Sequence, residues 1–213
     1  SNIQFDDGIS VIRSWTELKN NGEEDLGVEY VSSFALLGID KEGLLSTDEK
    51  LEVLIARNAW QKELIWNRFS MDQLGMSISQ PDKVRRSSQT ISVGNTGNWS
   101  TKNYLPMGCL KNKETDSILF WQIEQNGSWY WEISDQDGHM YLQLSGPTEH
   151  QSHWWKNLKP GDTFASVPVS VGSACGDVEE AAGELTKYRR AIRRKNEDNE
   201  KLPVIFNDYM NCL

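Results

Sequence analysis

The sequence predicts an all-β fold, a large antiparallel β-sandwich followed by one helix near the carboxyl terminus. Residues 3 to about 175 contain many short runs with strand character, separated by turn residues, which is the pattern of a sandwich. A helical period becomes clear after residue 176. With 213 residues, 38% hydrophobic and 25% charged, the chain has an ordinary globular composition and can bury a substantial core.

The strands are predicted most clearly around Asn126-Gly127. The runs 118–124 and 128–133 flank this pair, and an Asn-Gly pair between two strands favours a tight hairpin. A second turn at Asp137-Gly138 leads into the alternating run 140–144. The three runs are therefore predicted to form a three-stranded meander.

Residues 47–74 fit two interpretations. The acidic residues after Thr47 could cap a helix over Leu51–Ala56. The apolar positions 51, 53 and 55 also alternate as they would in a strand, so periodicity does not decide. The strand-rich context favours strands.

One helix is predicted from about Asp177 to Lys195. Acidic residues cluster near its start and arginines near its end, which matches the helix dipole at both ends. A polar linker over 196–201 is predicted to follow. The apolar positions recur at helical spacing on one face of the helix: Val178, Ala181, Ala182, Leu185, Tyr188 and Ile192.

The run Leu202-Pro-Val-Ile-Phe206 is typical of a strand buried on both faces of a parallel sheet. A strand of this kind needs a partner domain, so we expect a further domain to begin here. The chain is thus divided into a sandwich domain over residues 1–175, a linking helix and polar linker over 176–201, and the first strand of the further domain over 202–213.

Charge and composition restrict the partners. A net charge of −9 and a pI near 4.9 argue against nucleic acid and against an anionic membrane surface. Nine tryptophans suit a saccharide partner, because indole faces stack on sugar rings, but a core position is the better interpretation of each one. Three cysteines provide no disulfide framework and fit a reducing, cytoplasmic compartment.

Metal-binding and nucleophilic side chains give weak signals. His150 and His153 could bind a metal together with Glu149, but a zinc site needs three or four ligands, so we predict a surface loop and neither metal nor other cofactor. Cys109 and Cys175 are interpreted as buried structural thiols, because nothing places a histidine beside either.

Glu124 and Glu132 lie on the two sides of the Asn-Gly turn. Two carboxylates in such an arrangement invite the hypothesis of a glycosidase pair. Charged positions on an exposed sheet face are more common, so we do not assign them a catalytic role.

Several motifs follow one another in a specific order, although each is weak alone. They are Asn58-Ala-Trp-Gln61, Trp99-Ser100 with Tyr104-Leu-Pro-Met107, Trp121-Gln-Ile-Glu124, Gly146-Pro-Thr-Glu149, Trp154-Trp155, Tyr188-Arg189-Arg190 and the last twelve residues. The series resembles glycoside hydrolase family 36, the melibiase-type α-galactosidases, over most of the chain.

The resemblance implies an amino-terminal β-supersandwich of the galactose-mutarotase type, a linking helix and then a (β/α)8 barrel whose first strand begins near residue 202. The implied activity is hydrolysis of terminal α-linked galactose with retention. The catalytic aspartates of the family lie on later barrel strands, so residues 1–213 are expected to be inactive alone. The implied partners are α-galactosides through the parent enzyme, its own barrel, and other copies in a homo-oligomer.

Asp208 and Tyr209 are the candidate substrate-binding residues. They follow the first barrel strand, where barrel enzymes place functional side chains, and the family has an aromatic residue near Tyr209. The chain departs from the family in lacking the Gly-Asp-Phe-Arg loop of tetrameric members, which puts sharing of active sites between subunits in doubt. The alternative function is a stand-alone carbohydrate-binding module that stacks sugars on exposed tryptophans.

Overall fold

The computed structural model describes residues 1–76, 89–136 and 138–206. The elements in these ranges are, in chain order, β1 (Asn2–Phe5), β2 (Val11–Trp15), β3 (Glu17–Lys19), β4 (Leu26–Val28), β5 (Ser32–Leu37), α1 (Thr47–Lys50), β6 (Leu51–Ala59), β7 (Lys62–Ser70), a 3-10 turn (Asp72–Leu74), β8 (Thr90–Asn95), β9 (Tyr104–Asn112), β10 (Ser117–Ile123), β11 (Trp129–Gln136), β12 (His139–Ser145), α2 (Glu149–Ser152), β13 (Lys156–Leu158), β14 (Thr163–Ala165), β15 (Val169–Cys175), α3 (Val178–Ile192) and α4 (Glu197–Lys201).

The strands form two main antiparallel sheets. The larger sheet has the order β1-β2-β15-β10-β9-β6-β7, and the smaller one has the order β5-β12-β11-β8. The short pairs β13-β4 and β14-β3 flank them. Helix α3 packs on the larger sheet, against β15 and β10. The predicted all-β sandwich with one carboxyl-terminal linking helix is confirmed.

Three tryptophans are the largest side chains in the apolar layer between the two sheets. Trp121 of β10 and Trp131 of β11 meet edge to face, with ring centroids 5.1 Å apart. Trp129 and Trp131 lie two residues apart on β11, so they share the interior face, and Trp129 Nε1 donates to the carbonyl oxygen of Ser100 at 2.6 Å. The core interpretation is confirmed for these three side chains and is wrong for Trp60, Trp99 and Trp155, which are exposed.

A second apolar layer lies between the larger sheet and α3. Ile118 and Phe120 of β10 face the helix, whereas Trp121 and Ile123 face the sandwich interior. Strand β10 is therefore buried on both faces. The helix contributes the stripe Ala181, Leu185 and Tyr188.

The predicted hairpin at Asn126-Gly127 is wrong. Strand β10 pairs with β9 and β15 in the larger sheet, whereas β11 pairs with β8 and β12 in the smaller sheet, so the turn crosses the sandwich. The reason lies in the side chains: β10 is apolar on both faces and needs a layer on each side, while β11 has a polar outer face that includes Glu132. The second half of the predicted meander is correct, because β11 and β12 do form a hairpin, with Gly138 at a φ of 80°.

The strand interpretation of residues 47–74 is confirmed for β6 and β7, whereas a helical turn, α1, precedes these strands and a 3-10 turn follows them. Ser46 and Glu49 form a capping box, but the helix they start, α1, ends after a single turn. The chain then enters β6, where Leu51, Val53 and Ile55 face the interior of the sandwich.

The carboxyl-terminal part differs from the prediction in one respect. Helix α3 matches the predicted helix, but the segment predicted as a polar linker contains the short helix α4, capped by Asn196, whose side chain accepts from the Asn199 amide at 2.8 Å. Residues 202–206 are exposed and unpaired, with Phe206 81% exposed. The strand predicted from residue 202 remains a prediction. None of the helices in the described ranges has the length and apolar character that crossing a membrane requires.

Candidate functional site

Hydrogen bonds and ion pairs fix α3 on the larger sheet at a site that we call the helix anchor (Arg13, Arg68, Glu124, Asp177 and Tyr188). Its first part is the start of the helix. Asp177 accepts from the Val178 amide at 2.8 Å. It also accepts from the Glu180 amide, and the Glu180 carboxylate in turn accepts from the Asp177 amide at 2.8 Å. This reciprocal capping box satisfies two amides that a helix start leaves without partners.

Arg68 of β7 ties this helix start to the sheet. Its guanidinium donates to both carboxylate oxygens of Asp177, at 2.7 and 2.6 Å, and to Glu52 at 2.9 Å. Partial burial opposes ionisation of Asp177, but the hydrogen bonds from Arg68 and from the Val178 amide outweigh it, so the pKa of Asp177 lies below its ordinary value. Nearby, Lys111 donates to the Gly176 carbonyl oxygen at 2.5 Å.

Glu124, directly after β10, binds the second half of α3 through Tyr188. It accepts two hydrogen bonds from Arg13, at 2.9 and 2.7 Å, and one from the Tyr188 hydroxyl. Tyr188 is only 2% exposed, and burial together with the Glu124 charge raises the pKa of its phenol. Because Glu124 is bound from both sides, this partly buried carboxylate is paired rather than isolated.

Two of the sequence motifs meet at this anchor. Gln122 and Glu124 belong to the motif on β10, and Tyr188 and Arg189 belong to the motif on α3. Arg189 Nε donates to Gln122 Oε1 at 2.8 Å, beside the Tyr188–Glu124 bond. Their contact gives the two motifs a joint physical role, which is to fix the helix on the sheet.

Residues of two other motifs lie in neighbouring loops at one edge of the sandwich, which we call the loop edge. Trp60 occupies the two-residue turn between β6 and β7 and is 83% exposed, and Trp99 in the β8–β9 loop is 55% exposed. Asn58 joins the two loops, because its side chain donates to the Thr101 carbonyl oxygen at 2.6 Å and its amide to the Asn103 carbonyl oxygen at 3.0 Å. Two exposed indoles therefore lie on loops that Asn58 joins.

The predicted substrate-binding residues, Asp208 and Tyr209, lie outside the described residues, and so does Cys212. Among the cysteines that the structure describes, Cys109 is buried, and burial raises the pKa of its thiol to about 12. Cys175 is exposed, so the prediction of a buried thiol is wrong there. It is the last residue of β15 and lies outside the apolar layer beneath α3.

The remaining candidate side chains have structural surroundings. His150 and His153 are exposed at α2, and the described residues contain no cluster of three metal-binding side chains. Glu124 and Glu132 lie on different sheets, and each accepts from its own tyrosine hydroxyls. They do not form a pair on one hairpin, because the chain crosses the sandwich between them.

No family model matches the chain, and no curated protein matches it. Solved structures do match. The galactosidase domain of an α-galactosidase–sucrose kinase, AgaSK, superposes with a TM-score of 0.64 at 18% identity over 82% of this chain. The GH36 α-galactosidase AgaA from Geobacillus stearothermophilus, in complex with stachyose, gives a TM-score of 0.71 at 14% identity over 90% of this chain.

The chain has the fold of a domain of these enzymes. An α-galactosidase from Lactobacillus brevis matches in the same way, with a TM-score of 0.66 at 14% identity over 85% of the chain. The chain spans only 21–24% of the length of these three structures. At such identities the likeness concerns the fold, and it is consistent with an amino-terminal domain.

Proposed function

We propose that the chain is the non-catalytic amino-terminal domain of a glycoside hydrolase of the α-galactosidase type, and that it supports the catalytic barrel of that enzyme. The observation that carries the proposal is the match of 80–90% of this chain to about a quarter or less of several α-galactosidase structures. The ordered motif series also supports the proposal, because two of its segments, 121–124 and 188–190, make direct contacts at the helix anchor.

The helix anchor gives this role a mechanism. Capping and Arg68 fix the start of α3, and Glu124 fixes its middle, so the direction in which the chain leaves the sandwich is set. The exposed apolar residues 202–206 then enter the barrel as its first strand and become buried there. Asp208 and Tyr209 would follow at the carboxyl end of that strand, where barrel enzymes bind substrate.

The chemistry itself is assigned to the barrel. Retaining hydrolysis needs two carboxylates about 5 Å apart, one as nucleophile and one as acid/base, and we propose that both lie on later barrel strands. The parent enzyme would act on α-galactosides of the melibiose and raffinose type. A cytoplasmic location and contacts between copies of the enzyme complete the proposal; the free Cys109 and Cys175 are compatible with a reducing compartment.

The test is to assay residues 1–213 and the complete gene product side by side. The complete protein should release nitrophenol from nitrophenyl α-galactoside, and residues 1–213 should release none above buffer. Turnover by residues 1–213 that survives repurification would refute the non-catalytic role. A gene product without aspartates at the ends of the fourth and sixth barrel strands would refute the enzyme type.

The second candidate is a stand-alone carbohydrate-binding module, which the exposure of Trp60 and Trp99 favours. Trp129 and Trp131 are buried between the sheets, so they cannot form such a sugar-binding surface. Calorimetric titration with raffinose distinguishes the candidates. Saturable binding that disappears in Trp60→Ala, with the melting temperature unchanged, would favour the module over the accessory domain.

A further inference from the structure

The outer face of the smaller sheet contains a cleft that neither the helix anchor nor the loop edge uses. Its floor is formed by Tyr130 and Glu132 of β11 and by Gln143 of β12, and Tyr30 forms one wall. Helix α2 forms the opposite wall. The cleft has a volume of about 310 Å³, which lies at the lower end of the range for small-molecule sites. A smaller depression of about 120 Å³ continues past Tyr130.

The floor of this tyrosine cleft is organised by hydrogen bonds. Tyr130 donates to one carboxylate oxygen of Glu132 at 2.5 Å, and Tyr141 donates to the other at 2.8 Å. The Gln143 side chain donates to the Tyr30 hydroxyl. Two donors hold the Glu132 carboxylate in one orientation, and each of its oxygens retains capacity to accept another hydrogen bond.

The tyrosines are stable donors in this setting. Burial, followed by the Glu132 interactions, raises the pKa of Tyr130 and of Tyr141 above the ordinary value. Burial raises the pKa of Tyr30 to about 12. The phenols therefore stay protonated across the physiological pH range and remain hydrogen-bond donors.

The side chains in the cleft match a ligand with several hydroxyl groups. Glu132 offers fixed acceptor positions, whereas Gln143, Gln151 and His150 offer donors as well as acceptors. The Tyr30 ring, 42% exposed, presents an apolar face beside them. A phosphate or an acidic sugar would be repelled by Glu132 together with the wall carboxylates Glu29 and Glu149.

We infer that the tyrosine cleft is a binding site for a neutral saccharide, with Tyr30 stacking on the sugar ring and Glu132 and Gln143 binding its hydroxyls. An organic cation would also favour aromatic rings and a carboxylate. It would leave the amide and imidazole donors unused, however, whereas sugar hydroxyls can accept from them. The inference rests on the chemistry of the cleft and is independent of the enzyme assignment.

The test is calorimetric titration of the chain with methyl α-galactoside, methyl α-glucoside and raffinose, with galacturonate and choline as ligands of other charge. At least one neutral saccharide should bind saturably in the millimolar range. Tyr30→Ala should weaken that binding by about three- to tenfold, the loss expected for one aromatic contact. Glu132→Gln should weaken it by a similar factor, because a charged acceptor is lost.

Phe5→Ala is the matched control, since Phe5 is an exposed aromatic residue at the edge of the other sheet. This variant should bind as the unmodified chain does. Tyr30 is at the surface, so Tyr30→Ala should melt normally and report on binding even if Glu132→Gln unfolds. Absence of saturation by every neutral saccharide, tighter binding of choline, or unchanged affinity of Tyr30→Ala would each overturn the inference.

Discussion

The two sheets differ in the chemistry of their outer faces. The outer face of the larger sheet is apolar where α3 covers it, whereas that of the smaller sheet is polar at the tyrosine cleft. The larger sheet carries Ile118 and Phe120 outward, and α3 covers them. The smaller sheet carries Tyr130, Glu132 and Gln143 outward, and the tyrosine cleft lies over them. An apolar face must be covered by another element, whereas a polar face can stay open to a ligand. The larger sheet therefore holds α3, whereas the outer face of the smaller sheet is left open for a ligand.

The largest loss of stability is expected from a substitution in the apolar layer between the two sheets, because both sheets pack on this layer. Trp129→Ala removes a side chain that is buried between the sheets and leaves the Ser100 carbonyl without its indole donor. The free energy of unfolding should fall by about 3–5 kcal/mol, measured by denaturant titration. The control Trp155→Ala removes an exposed indole and should stay within about 0.5 kcal/mol of the parent chain. Equal effects of the two changes would contradict the assignment of Trp129 to the core.

A smaller and more local effect is expected at the helix anchor. Glu124→Ala removes the acceptor shared by Arg13 and Tyr188, and Tyr188 then remains buried without a partner. The free energy of unfolding should fall by about 1–3 kcal/mol. Amide hydrogen exchange within α3 should speed up more than exchange within β11 and β12.

The matched change on the same helix is Glu179→Ala, which removes an exposed first-turn carboxylate. It should cost only about 0.3–1 kcal/mol through the helix dipole. If Glu124→Ala accelerated exchange in both sheets as much as in α3, Glu124 would be a general stabilising residue and not a helix anchor.

The smallest effect concerns pH. The pKa of Asp177 is lowered in the folded chain, so the folded state binds fewer protons there than the unfolded state. The stabilisation is present above the unfolded pKa of about 3.9 and is lost as the pH falls through the folded value. As the pH falls below about 4, the melting temperature of Arg68→Ala should therefore decrease less steeply than that of the unmodified chain. A decline of unchanged steepness would show that the Arg68–Asp177 bond contributes nothing.

The sequence predicts those features that depend on local pattern. The acidic start of the helix predicted its beginning near Asp177, and Gly138 predicted the turn between β11 and β12. Helix α4 was missed although its signal was present, since Asn196 is a good capping residue followed by acidic side chains.

Features that depend on distant partners could not be predicted. The Asn126-Gly127 turn has the chemistry of a hairpin, yet the sheet that each flanking strand joins is decided by layers that form elsewhere in the chain. The helix anchor is similar, because Arg13 and Glu124 are 111 residues apart. The tyrosine cleft also escaped prediction, since its walls come from separate segments around Tyr30 and α2.

Residues 202–206 report directly on the proposed connection of this sandwich through α3 to a catalytic barrel. In the chain of 213 residues this segment is exposed and unpaired. Amide hydrogen exchange should be compared between this chain and the complete gene product. We expect fast exchange at 204–206 in the shorter chain and strong protection in the complete protein, because the proposed barrel strand would bury this segment. Equally fast exchange in both proteins would contradict it.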